Sequence, residues 1–171
     1  MKVSNKYLAW CLLSSVFIAG GAFAATQSVT ANMTFDTALS LVKNADISFG
    51  TVKASQAGTY TIDTSGVVTP TNGGVVIGGT PAFGQITITG STTQTVAIST
   101  GTYVSDNGVT PSAATCSYNG AAAAACDTAL TGRTAPGAGK ILKLGVTAIS
   151  DGTTAAGTTA VPTFTVTVVY G

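Results

Sequence analysis

Histidine and glutamate are absent from this 171-residue chain, and charged residues make up only 8% of it. Those gaps exclude most catalytic chemistry. The commonest general base and one of the two usual carboxylates are missing, and no Ser-His-Asp or Cys-His site can be built. A paired-aspartate mechanism stays formally open among Asp36, Asp46, Asp63, Asp106, Asp127 and Asp151. Most of these stand beside Gly, Asn or Ser in turn-like sequence, where an aspartate bonds its own backbone. Asp106-Asn107-Gly108 and Asp151-Gly152 lack the run of alternating oxygen ligands that makes a calcium loop. Neither an enzyme nor a cofactor or metal site is therefore expected. Basic residues are equally scarce and form no patch, so nucleic-acid binding has no electrostatic support.

What is present begins with an address. Lys2 and Lys6 precede a short apolar run from Leu8 to Ile18, and Ala22-Phe23-Ala24 offers a small-x-small cleavage site. Residues 1–24 read as a secretory signal peptide, because the apolar run falls short of the ~20 residues of a spanning helix. Trp10 stands before Cys11 where a lipoprotein signal needs a small residue, so lipidation is not expected, nor is stable membrane insertion. The 171 residues less these 24 leave 147, enough for one domain with a sizeable core. Lys43, Lys53, Arg133, Lys140 and Lys143 then face six aspartates, a net charge of −1. Cys116 and Cys126 survive processing, and a close pair in an oxidising compartment reads as a structural disulfide.

Thr, Gly, Ala and Val dominate the rest, and Thr and Val fit a pleated, half-buried surface. The longest signal is Val29 to Leu41. Val29, Ala31, Met33, Phe35, Leu39 and Leu41 fall on one side of an alternation, with Thr30, Asn32, Thr34, Asp36 and Ser40 on the other. Period two marks an extended strand with one apolar face. At about 3.3 Å per residue, thirteen residues would reach roughly 43 Å, about twice the usual strand. We therefore divide it into an N-terminal extension, residues 25–36, and a first strand over residues 37–42 of a domain spanning 37–171.

Further strands are expected over Ile47–Val52, Ala57–Asp63, Val75–Ile77, Phe83–Thr89, Gln94–Thr100, Lys140–Ile149 and Val161–Tyr170. Val67 and Val68 return briefly before Pro70-Thr-Asn-Gly-Gly74 breaks the chain again. In the last strand Phe164, Val166, Val168 and Tyr170 share one face, Thr163, Thr165 and Thr167 the other. From Tyr103 to Gly139 the periodicity collapses, and the segment reads as a disulfide-pinned surface loop. Eight or nine short strands without an amphipathic helix predict an all-β sandwich.

An exposed alternating extension invites aggregation unless it has a use. Strand addition is such a use, with backbone bonds supplying affinity and alternate side chains supplying register. If the receiving groove lies in the next molecule, the contact does not close and the product is a filament. From the residues alone, pairing of the extension within its own domain is equally open.

Ile47-Ser-Phe-Gly-Thr-Val52, Gly58-Thr-Tyr-Thr-Ile62, Phe83 to Gly90 and Phe164-Thr-Val-Thr-Val-Val-Tyr170 occur in a familiar order. Together they resemble the bacterial secreted β domains catalogued as domain of unknown function 4402. The leader, the extension and the penultimate Tyr170 also resemble chaperone–usher type pilins. Two features depart from that pattern: Thr158 stands where pilins often carry a glycine, with Gly157 one position off, and Cys116 and Cys126 lie late rather than in early strands.

The resemblance implies an immunoglobulin-like, pilin-like sandwich that is incomplete and is completed by a donor strand from a neighbouring subunit. It implies that Val29, Ala31, Met33 and Phe35 are the donor, and that Phe164, Val166, Val168 and Tyr170 belong to the acceptor groove. The implied partners are other copies of the chain in a head-to-tail homopolymer, with a periplasmic chaperone and an outer-membrane usher assisting. The implied location is a filament on the bacterial cell surface. The alternative is a secreted monomeric carbohydrate- or surface-binding sandwich that reads its ligand through Tyr103 to Gly139. Against it, the only tryptophan, Trp10, is lost with the leader, leaving no clustered aromatic platform.

Overall fold

The computed structural model describes residues 27–171, and the proposed leader, residues 1–24, lies outside them. Two compact units divide the chain, Met1–Thr34 and Phe35–Gly171. In the first, the described residues 27–34 carry no secondary structure and are exposed. All twelve described strands belong to the second: β1 Ser40–Ala45, β2 Thr51–Val52, β3 Ala57–Ile62, β4 Val68–Thr71, β5 Val76–Gly78, β6 Gly84–Thr89, β7 Val96–Val104, β8 Val109–Tyr118, β9 Ala124–Ala125, β10 Leu130–Arg133, β11 Lys140–Asp151 and β12 Thr163–Tyr170. The fold is all-β and antiparallel.

The long strand β11 organises the larger sheet. Its first half pairs with β6 and its second half with β3, while β8 runs along its other side. β1 extends the sheet beyond β6, β4 beyond β3, and β9 adds to β8. A smaller sheet runs in the order β10-β7-β12, and β2 and β5 form a separate short pair. The core lies between the two main sheets. Ile62, Ile88, Leu142, Leu144 and Val146 from one meet Val96 and Ile98 from the other. Gly145 sits mid-β11 because there is no room for a side chain: an added Cβ would stand 2.4 Å from the Ile62 carbonyl oxygen.

The alternation of Ala57–Ile62 holds, with Tyr60 and Ile62 buried. The β3–β4 turn is held by Asp63, whose Oδ1 accepts from Ser65 N at 2.8 Å, Ser65 Oγ at 2.7 Å and Val67 N at 2.9 Å. The Ser65 hydroxyl first, then the Val67 amide, hold the Asp63 carboxyl below its ordinary value. A folded-state pKa below the unfolded one gives stability that is full above the unfolded value and lost as pH falls through the folded one. Asp63→Ala is expected to cost about 1 kcal/mol or less at pH 7, as befits exposed hydrogen bonds. That difference from wild type should disappear in urea titrations at a pH well below about 3.9.

Several expectations need correction. The segment from Tyr103 to Gly139 is not a surface loop, since it contains β8, β9 and β10. β8 buries Pro111, Ala114, Cys116 and Tyr118. Its period is broken where Ala113 takes a positive φ of 50° and the register against β11 shifts. This is the behaviour of a β-bulge. Small residues and one inserted position together erase the apolar period of two. Within the run of five alanines at residues 121–125, Ala124 and Ala125 form the short strand β9. The break expected over Pro70 to Gly74 falls on Asn72 and Gly73, which turn the chain at positive φ; Pro70 itself lies within β4 opposite Tyr60, an edge position that tolerates a missing donor. Ile47–Val52 shortens to β2 plus a Ser48–Ala82 bridge, with Gly50 at φ 75°. The first strand is not residues 37–42 but β1, Ser40–Ala45.

The disulfide between Cys116 and Cys126 is formed, with a Cα–Cα distance of 5.8 Å. Cys126 N donates to Ala114 O at 3.1 Å, and its carbonyl accepts from Thr100 N at 2.8 Å. It thus joins β8 to β7 across the interior. A formed disulfide belongs to an oxidising, non-cytoplasmic compartment. Among the described residues, no helix is long and apolar enough to cross a membrane.

Candidate polymerisation groove

Among the described residues, β12 is paired on one side only, by β7. Tyr170, Val168 and Val166 stand opposite Val96, Ile98 and Thr100. Residues opposite one another in an antiparallel pair project to the same face, so β12 points these side chains toward the core. Val96 and Ile98 are completely buried, yet Phe164, Val166, Val168 and Tyr170 are only half-buried. The core is therefore closed over β7 and open along β12. Phe164 packs on Tyr103, with ring centroids 5.8 Å apart. Burial raises the pKa of the Tyr103 phenol, which donates a hydrogen bond to Asp127 Oδ1.

β1 has the same asymmetry. Its one partner among the described residues is β6, with Leu41 opposite Ile88. Ile88 is fully buried, whereas Leu41 on the same face remains 40% exposed. Leu39, just before β1, is half-buried against the core. The two half-paired strands meet at one corner, where Gly90 lies against both Leu39 and Tyr170. A Cβ on Gly90 would stand 2.5 Å from Tyr170 Oη, so this corner is packed backbone against side chain. β12 arrives at the corner and β1 leaves it. Elsewhere they are not hydrogen-bonded to each other.

Residues 27–39 have neither strand nor bridge. Val29 is 90% exposed, Met33 77% and Phe35 85%, and Ala31 is exposed as well. The alternation that predicts a strand is thus unpaired among the described residues. Sequence reasoning missed β1's contribution to the open face. The signal was available, because the alternation through Phe35 continues into Leu39 and Leu41. It also missed Ser91, for which the sequence carries no signal.

The segment assigned to ligand reading by the alternative is largely built into the body. Tyr118 is buried and its hydroxyl donates to Thr134 O at 3.1 Å. A shallow cleft of about 320 Å³ beside it is lined by Asn119, Gly120, Arg133 and Thr134 among others. No family model, curated protein or solved structure matches the chain.

Proposed function

We propose that this chain is a secreted structural subunit of an extracellular bacterial filament that polymerises by donor-strand complementation, with no enzymatic activity of its own. The observation that carries the reading is the mismatch of burial across two strands. β12 directs Val166, Val168 and Tyr170 at the core and β1 directs Leu41, yet these are only partly buried while the residues opposite them are sealed. A strand laid between the two free edges would satisfy unpaired N–H and C=O groups and cover that face. The extension supplies such a strand: exposed, unpaired and alternating at Val29, Ala31, Met33 and Phe35. Taken from a second copy, it makes a heterologous contact that repeats without closing. A free, apolar edge left uncovered would instead be a liability.

The test compares the chain from Ala25 with one beginning at Thr37, by electron microscopy and by heat-resistant multimers in detergent. The first is expected to form filaments and a multimer ladder. The second should remain an unstable monomer. Two monomers of equal stability would overturn the reading.

A further inference from the structure

At the corner where β12 ends, four segments are tied by one set of hydrogen bonds. Tyr170 Oη donates to the Thr37 carbonyl and accepts from Ser91 N at 2.7 Å. Ser91 Oγ gives its hydrogen to Asp36 Oδ2 at 2.6 Å. The same oxygen accepts from Thr93 N at 3.1 Å and Gln94 N at 3.0 Å, which fills both of its acceptor positions. The other Asp36 oxygen accepts from Thr37 N at 2.7 Å. Ser91 is 1% exposed, and its carbonyl accepts from Gly137 N at 2.9 Å. A serine saturated in this way, inside a turn, is committed to holding what it binds. What it binds is the chain immediately after Phe35, and the other holder is the terminal tyrosine of β12.

We propose that Asp36, Ser91 and Tyr170 form a latch that fixes the root of the extension, so that the segment available for exchange ends at Phe35 while Thr37 onward stays with its own body. The inference rests on the donor-strand reading and sharpens it. The latch places the end of the donor segment beside the end of the strand that receives the next subunit's donor. Strain passing along a filament therefore enters each body through Thr37 and Tyr170, not through the lone strand β1. The three are positioning residues: they set where the donor stops without forming part of it.

The experiment is chymotrypsin digestion of the monomer fraction of the full chain, with cut sites read by intact mass. Wild type should be cut after Met33 and Phe35 and resist cutting after Leu39. Asp36→Ala and Tyr170→Phe should each speed cutting after Leu39 about tenfold, as expected for losing one or two hydrogen bonds. Cutting at Tyr60 and Phe83 should not change, which separates loss of the latch from general destabilisation. Asp36→Asn keeps an oxygen for the Ser91 hydroxyl and should restore the wild-type boundary. Wild-type cutting after Leu39 as fast as after Phe35, or no change in either disrupting variant, would overturn the latch. The multimer fraction of the same preparations reads the parent proposal separately. A chain that shows the boundary yet never multimerises overturns donor-strand exchange and leaves the latch standing. Multimers without the boundary overturn the latch alone.

Discussion

A synthetic peptide of residues 27–36, added to the chain that begins at Thr37, is expected to raise its thermal midpoint by several degrees. The peptide carries Val29, Met33 and Phe35, each worth roughly 1.5–3 kcal/mol on full burial, so on the order of 5–9 kcal/mol gross. Ordering an extended segment and losing translational freedom offset much of that. What survives appears as ligand stabilisation of the folded state, about 2.7 kcal/mol at a hundredfold excess over Kd. For a domain of this size, that corresponds to roughly 5–10 °C. A peptide of the same composition with its alternation scrambled should produce no shift, because only a period of two puts three apolar groups on one face. Val168→Asp should abolish the effect. Val168 stands opposite the fully buried Ile98, and a carboxylate there faces the same dry interior. A midpoint unmoved by saturating wild-type peptide would overturn the donor-strand reading.

Replacing both Cys116 and Cys126 by alanine is expected to cost roughly 2–5 kcal/mol of unfolding free energy. Part of this arises from the unfolded chain, which regains the freedom of a loop closed over a sequence separation of 10. The rest arises in the folded state. Both sulfurs are buried in the core cluster, and Cys126 sits between β7 and β8, so truncation also leaves a cavity. The double variant avoids stranding one thiol. Urea titration without reductant measures the loss, and an unchanged midpoint would exclude a stabilising role for the bridge. Because β7 carries β12, the same variant should also weaken peptide binding at the open edge.

Most of what failed in reading the chain failed in one segment. Ala113 is an inserted bulge residue within β8, and most of the strand is alanine, serine, threonine and cysteine, which give hydropathy little contrast. Gly108 and Gly120 on either side, Pro111 within it and Pro136 beyond then read as a loop. Where the side chains were large and the register unbroken, as in Ala57–Ile62 and Thr165–Tyr170, the faces agreed with the burial. The extension lies between these cases. Its alternation is legible, yet no strand forms over residues 27–39. A strand needs a partner as well as a pattern, and a single copy of the sequence does not name one.

Taken alone, the sequence determined the class of the fold, because a period of two, repeated between turn residues, buries side chains only in sheets. It determined the disulfide, since only two cysteines follow the leader-like segment, and it identified the segment rich in unspent apolar alternation. Tertiary structure alone decided which strand edges lack a partner. It also decided that Leu41 and Val168 are half-open beside sealed neighbours, and that Asp36 reaches Ser91 across 55 positions of chain. Edges, burial and contacts between distant residues arise from strand order and register. Those are properties of the assembled sheets, which no local pattern encodes.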